Sequence, residues 1–263
     1  MKKYFIFLIL IFYTVSQGQE KEVKKEWDEF FKENKVLGCI VIYDMNNNKY
    51  IRCNPKRCSR KFIPASTFKI PNSLIGLESG VIPDENYVIK WDSVVRQIPD
   101  WNMDHTLQSA IKVSALWYYQ ELARRVGEGK MKEYLKKMNY GNKDISGGID
   151  AFWLLGGMRI SPDEQVEFLK KLYLEKLPFS KRNIDIVKKI IIRDKTDKYI
   201  IHAKTGHGVI KDINYGWYVG WLEENNNVYF FATNIESNNP DKNFRPCRID
   251  ITYKAFKSLG LMK

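Results

Sequence analysis

Apolar positions change their period twice along this chain. Between residues 21 and 34, Val23, Trp27, Phe30 and Phe31 recur at helical spacing and predict a helix. The continuous apolar run 37–43 then reads as a buried strand, and the cluster Asn46-Asn47-Asn48 turns the chain back into a second strand through Tyr50 and Ile51. A similar pair is predicted over 215–222 and 228–233, around the turn-prone run Glu224-Asn225-Asn226-Asn227. Between the two pairs the period becomes helical. Residues 66–79, 115–126, 129–138, 161–174 and 182–192 each carry apolar side chains three and four apart, and 248–259 reads as a closing helix. Strands at both ends with helices between them predict an α/β fold of the α+β kind. In it an antiparallel sheet built from the N- and C-terminal segments is flanked by helices and carries an inserted, mostly helical lobe. A functional site is expected at the seam between sheet and lobe.

The first residues stand apart from this pattern. Lys2 and Lys3, the apolar run 4–15 and then Ser16-Gln17-Gly18 have the layout of a secretory leader cut near Gly18. The alternative is a single-span anchor, but about twelve apolar residues fall short of the ~20 that a bilayer requires. Residues 1–18 are therefore assigned to a signal peptide and 19–263 to one compact body, with export to the periplasm expected. With 44% hydrophobic residues in a 263-residue chain, that body can bury a sizeable core.

Net charge is +12 and stays strongly basic after loss of the two leader lysines. The lysines are scattered over predicted helix faces, as at Lys132, Lys136 and Lys137, which points to a solvated surface and to no nucleic-acid partner. Cys39, Cys53, Cys58 and Cys247 show no metal-ligand spacing, and His105, His202 and His207 are dispersed, so no metal is expected. For Cys53 and Cys58, on either side of Asn54-Pro55-Lys56-Arg57, a small disulfide loop in an oxidising compartment and free thiols both stay open.

Candidate chemistry begins at Pro64-Ala65-Ser66-Thr67-Phe68-Lys69, where a loop gives way to a helix. Three-residue spacing puts the Ser66 hydroxyl and the Lys69 amine on one face, pairing a nucleophile with a base. Unpaired N–H groups at that helix start suit an oxyanion beside Ser66. Ser-x-x-Lys is a weak motif by itself, and Ser109-Ala110-Ile111-Lys112 is a second instance. The rarer Lys204-Thr205-Gly206 follows the predicted strand 199–203. A glycine there lets a substrate lie against the backbone, and the amide of His207 is a second candidate oxyanion donor.

Ser66-x-x-Lys69 and Lys204-Thr205-Gly206 together resemble the penicillin-recognising serine enzymes. Within that superfamily Ser114-Ala115-Leu116 is similar to the class D, oxacillinase-type β-lactamases, which carry an apolar third residue where other classes carry Asn. The family usually has Val at that place, so Leu116 is a bulkier departure. Tyr140-Gly141-Asn142 and Phe152-Trp153-Leu154 match two further elements of the family.

The resemblance implies a β-lactam as small-molecule substrate, penicillins and oxacillin-type compounds included, and hydrolysis through an acyl-enzyme on Ser66. It implies no cofactor beyond CO2, which would carboxylate Lys69 to a carbamate serving as base in both acylation and deacylation. Phe68, Leu116 and Trp153 would surround that group, with the Trp153 indole N–H supporting it. Ser114, aided by Lys204, would pass a proton to the leaving nitrogen, and the amides of Ser66 and His207 would hold the oxyanion. The substrate carboxylate would fall to Thr205, Gly206 and an arginine; Arg248 is favoured, with Arg245 as competitor.

No separate deacylating glutamate is expected. Glu164 and Glu167 read as charges near a helix start after Ser161-Pro162. Three other readings stay open, a penicillin-binding DD-peptidase, a β-lactam sensor that acylates without turnover, and a catalytically silent binding protein on the same fold. Substrate range, set by the surroundings of Trp101, Met103 and 207–214, and oligomeric state are not legible.

Overall fold

The computed structural model describes residues 20–262; the predicted leader lies outside the described residues. The chain runs β1 (Glu20–Val23), α1 (Asp28–Glu33), β2 (Leu37–Asp44), β3 (Lys49–Cys53), α2 (Pro55–Cys58), a 3-10 turn (Ala65–Phe68) and α3 (Lys69–Glu78). It continues through β4 (Val88–Ile89), β5 (His105–Thr106), α4 (Leu107–Val113), α5 (Leu116–Met138), α6 (Pro162–Tyr173) and α7 (Lys181–Ile190). It ends with β6 (Ile192–Lys195), β7 (Tyr199–Ile210), β8 (Ile213–Glu224), β9 (Asn227–Ser237) and α8 (Phe244–Ser258). The main sheet has the order β1-β3-β2-β9-β8-β7-β6. Its ladders are antiparallel except that of β1 with β3. Strands from the two ends of the chain thus meet where β2 pairs with β9.

Both faces of this sheet are covered, which explains why its central strands read as unbroken apolar runs. Along β2, Cys39, Val41 and Tyr43 enter the core shared with the helical lobe, whereas Ile40 and Ile42 enter a second core under α1 and α8. On β8, Trp217, Val219 and Trp221 face the lobe and Tyr218 and Leu222 face α8. The turn between β8 and β9 places Asn225 and Asn226 both in the left-handed region (φ 54° and 56°), as a tight two-residue hairpin requires.

Several predicted boundaries change. Residues 21–34 are not one helix: Glu20–Val23 form β1, which pairs in parallel with Lys49–Arg52, and only Asp28–Glu33 are α-helical. Glu20 and Glu22 hold Lys49 at 3.0 and 2.9 Å, so the polar residues of this segment serve a sheet edge. The helices predicted over 115–126 and 129–138 are consecutive parts of α5, interrupted at Gly127 by a non-helical backbone (φ 77°, ψ 159°). Ile192 leaves the predicted helix 182–192 to begin β6.

Of the two readings of Cys53 and Cys58, the structure has the free thiols: all four cysteines are free and buried. Cys53 faces the core under α8 and its thiol donates to Asp28 (3.0 Å), whereas α2 carries Cys58 into the core on the lobe side, where its thiol donates to the Ile40 carbonyl (3.5 Å). The two side chains therefore lie on opposite faces of the sheet. Among the described residues no helix is long and apolar enough to cross a membrane.

Candidate active site

The segment carrying Ser66 is held from three sides before any helix begins. Phe62 and Ile160 exchange backbone hydrogen bonds at 2.9 Å each, the Trp217 indole donates to the Ile63 carbonyl at 2.8 Å, and Ala65 N donates to the Trp153 carbonyl at 2.9 Å. Ala65 adopts φ 49°, a costly conformation for a residue with a Cβ, directly before the nucleophile. Ser66 lies in the 3-10 turn and α3 starts only at Lys69, which refines the expectation that the helix starts at the serine. Side chains three apart eclipse one another in such a turn. Lys69 Nζ accordingly stands 3.0 Å from Ser66 Oγ and donates to it.

Lys69 is 1% exposed. Burial lowers its amine from the usual lysine range to about 7, and no carboxylate bridges it among the described residues. The Tyr119 ring lies 5.1 Å from Nζ, and Phe68 stacks on Trp153 with ring centroids 5.4 Å apart. Trp153 is fully buried, yet its indole N–H has no hydrogen-bond partner. An unsatisfied donor of this kind costs ~1–3 kcal/mol, so the Trp153 N–H is left available to an acceptor. Leu116, expected around Lys69, opens α5 and is half-buried.

Lys204-Thr205-Gly206 does not follow a strand; it lies inside β7, which continues to Ile210. The physical reason is the long hairpin with β8, paired from Tyr199–Glu224 to Ile210–Ile213. β6 covers the other edge only as far as His202, leaving 204–210 without a strand there and turned toward the Ser66 segment. A Cβ on Gly206 would lie 3.1 Å from both the Pro64 carbonyl oxygen and Thr67 Cγ2, so the glycine sets how closely β7 approaches the nucleophile.

Lys204 is buried, and its Nζ donates to the Thr205 carbonyl at 3.0 Å. Its amine is held well below the lysine range by burial and then by repulsion from Lys69, Arg248 and Arg193. Arg248 projects from the second turn of α8, donates from Nη1 to the Gly206 carbonyl at 3.1 Å, and keeps a buried Nε without partner. Burial and the nearby Arg245 lower it to about 10. Arg245 is exposed, and its Nη2 lies 3.4 Å from His207 Nδ1. The His207 ring is tied through Nε2 to Asn214 at 2.9 Å, so any part it takes at Ser66 falls to its backbone. Lys69, Lys204 and Arg248 form no salt bridge among the described residues, and together they make a site that lacks an anion.

Ser114 is the C-cap of α4, left-handed at φ 58°, at the corner where α5 begins. Tyr140-Gly141-Asn142 is structural. Asn142 binds the Gly157 carbonyl and the Arg159 amide (2.8 and 2.9 Å), fixing the loop that carries Trp153. Glu164 closes a capping box with Ser161 and pairs with Lys61 at 2.6 Å, and Glu167 contacts Tyr50 and Lys170. Neither carboxylate is directed at Ser66. Among the described residues no group of His, Cys, Asp and Glu could hold a metal ion.

Two features escape sequence reasoning. Tyr119 and Ser73 form a buried pair at 3.0 Å behind Lys69, for which the sequence carries no signal. Gln165 donates to Thr67 Oγ1 at 2.8 Å. Its signal was available, since 165 falls on the apolar face of α6 beside Val166 and Leu169, where a polar residue requires a partner.

Comparison with known proteins agrees with this geometry. Residues 32–250 match the penicillin binding protein transpeptidase domain. Beta-lactamase OXA-48 of Klebsiella pneumoniae is 47% identical over 219 residues, 83% of each chain. Beta-lactamase OXA-5 of Pseudomonas aeruginosa is 43% identical over 266 aligned positions, 100% of this chain and 99% of its own. The crystal structure of a class D β-lactamase from Sebaldella termitidis superposes with a TM-score of 0.90 at 41% identity, covering 94% of this chain and 100% of that one. With a serine paired to a buried lysine and facing a Lys-Thr-Gly strand, and with relatives of this similarity along nearly its whole length, the chain belongs to the class D serine β-lactamases.

Proposed function

We propose that this protein hydrolyses β-lactam antibiotics, penicillins and oxacillin-type compounds among them, through an acyl-enzyme on Ser66, and so confers resistance. The relatives' activity supports hydrolysis. The observation that carries the mechanism is the buried Lys69, its amine lowered to about 7 and 3.0 Å from Ser66 Oγ, together with the unpartnered indole N–H of Trp153, whose ring stacks on the adjacent Phe68.

Those residues fit a carbamate on Lys69. Its formation from CO2 needs an unprotonated amine, which burial supplies, and its oxygens need a donor, which Trp153 offers. When present, the carbamate supplies a carboxylate base at the tip of the lysine. The remaining chemistry belongs to the chain's own groups. Ser66 Oγ loses its proton toward the Lys69 head and attacks the lactam carbonyl. The amides of Ser66 and His207 hold the developing oxyanion, and Ser114, aided by Lys204, delivers a proton to the ring nitrogen as the C–N bond breaks. Arg248, with Thr205 and Gly206, anchors the substrate carboxylate. A water then cleaves the ester, its proton again leaving toward the Lys69 head, which is why Glu164 and Glu167 are not needed. The leader 1–18 would deliver this activity to the periplasm.

Hydrolysis of a chromogenic β-lactam by the purified protein, in degassed buffer and with bicarbonate, tests the reading when combined with intact mass. Multiple turnovers that rise with bicarbonate are expected. A stable one-to-one adduct would instead favour a sensor or a penicillin-binding DD-peptidase.

A further inference from the structure

The turn that presents Ser66 is closed by one side-chain hydrogen bond whose direction is dictated by a residue outside the catalytic set. Thr67 Oγ1 lies 2.7 Å from the Pro64 carbonyl oxygen, and Thr67 N donates to the same oxygen at 3.2 Å. A carbonyl only accepts, so the single Thr67 hydroxyl proton is committed to Pro64 and the hydroxyl oxygen is left as an acceptor. The group 2.8 Å from it must therefore donate, which assigns that atom to the Gln165 amide nitrogen. Gln165 is 1% exposed and Thr67 is equally buried, so no water competes for either group. The bond also spans the strained Ala65, which lies between Pro64 and Ser66.

We infer that Gln165 is a positioning residue for the nucleophile: by donating to Thr67 it keeps the Thr67 proton on Pro64 and holds the left-handed turn at Ala65 that aims Ser66 Oγ at Lys69. The inference rests on the serine-hydrolase reading and deepens it. Gln165 touches neither substrate nor Lys69, and it acts by setting the polarity of a buried hydrogen bond. Shape alone would not suffice. An acceptor at 165 would draw the Thr67 proton to itself, release Pro64 and let the strained turn relax.

Gln165→Glu separates polarity from packing, because it conserves shape. Ionised, the carboxylate only accepts; protonated, it donates as the amide does, and burial raises the pH at which it ionises. The titratable groups facing this point are the Tyr140 hydroxyl, pushed far above the usual tyrosine range by burial, and Glu164 on the same helix. Each is also present in the wild type, so the ratio of variant to wild-type kcat isolates the new carboxyl.

That ratio should fall by about ten-fold on the alkaline side and recover toward one on the acid side, with KM nearly unchanged. Gln165→Leu should lose less than ionised Gln165→Glu. A pH-independent ratio, or a leucine variant as poor as the glutamate, would overturn the inference. Should Gln165→Glu fail to fold, Thr67→Val and Thr67→Ser decide. Valine should slow acylation of Ser66 about ten-fold and serine should restore it; equal rates in both variants would be contrary. A wild type that acylates without turnover would sink only the hydrolase reading, since the same ratios remain readable as acylation rates by intact mass.

Discussion

Trp153 grips Ala65 through its backbone while its indole N–H is unengaged: the Trp153 carbonyl accepts from Ala65 N at 2.9 Å, and the N–H has no partner. The residue therefore supports the nucleophile's turn and the Lys69 pocket by separable means. Trp153→Phe keeps the backbone bond and the stack on Phe68 and removes only the donor. Acylation of Ser66 should persist while deacylation slows about 10- to 100-fold, the cost of one buried hydrogen bond to a charged group. Added bicarbonate should restore part of the loss. Burst kinetics with a chromogenic substrate measure both phases, and parental turnover in degassed buffer would show that the indole N–H supports nothing.

Lys69 gives a pH prediction with a definite sign. Its folded value of about 7 lies below that of an unfolded chain, so between pH 7 and the ordinary lysine range the unfolded state binds a proton that the folded state does not. Stability contributed by this group rises with pH across that window. Lys69→Met, which abolishes turnover, should therefore melt higher than the wild type at pH 7, by a few kcal/mol of stability, with the gap narrowing by pH 9. Thermal melts at the two pH values check it; a wild type more stable at both would contradict it. Activity of the wild type should decline below about pH 7 as the amine takes up a proton.

Gly206 sets the distance between β7 and the nucleophile's turn. Gly206→Ala must displace either Pro64 or Thr67 by a few tenths of an ångström, since the new Cβ would lie 3.1 Å from each. We expect a loss of roughly 1–3 kcal/mol in stability and a fall in acylation rate of ten-fold or more. Stopped-flow acylation alongside denaturant melts separates the two effects, and an unchanged acylation rate would mean that the close approach has no catalytic role.

Arg248 and Arg245 are distinguished by burial. Arg248→Ala should raise KM for a penicillin by about 30-fold or more, the cost of ~2–5 kcal/mol for removing one partner of a buried charge pair. Arg245→Ala should change it little. The carboxylate methyl ester of the same penicillin should fail to distinguish wild type from Arg248→Ala. Steady-state kinetics with the acid and the ester decide this, and an equal penalty on both would place the carboxylate elsewhere.

What could be read from the chain follows from which interactions are local. The helix start after Ser161-Pro162, the break in α5 at Gly127 and the hairpin at Asn225-Asn226 are encoded within a few residues and were legible. So was the pairing of Ser66 with Lys69, because three-residue spacing is a local geometry. The strand at Glu20–Val23 was not, since its partner Lys49–Arg52 decides it and helical spacing of Trp27, Phe30 and Phe31 hid the boundary. The extent of β7 depends on its ladder with β8, and the separation of Cys53 from Cys58 on the turn made by α2. The bond from Gln165 to Thr67 links positions 98 residues apart, and its only trace was a polar residue on an apolar face.

The sheet order has a consequence for how the molecule comes into being. The ladder of β2 with β9 is locked at one end by Asn227 Nδ2 donating to Asp44 Oδ1 at 2.8 Å, across 183 residues of sequence. Closing so long a loop is slow, whereas the turns within each helix form between near neighbours. Ser66 and Lys69 leave the ribosome early and find each other locally, but the strand opposite them and Arg248 arrive in the last third of the chain. A nascent chain therefore carries its nucleophile through most of synthesis without a site in which to use it, and reactivity appears only at the final step of assembly.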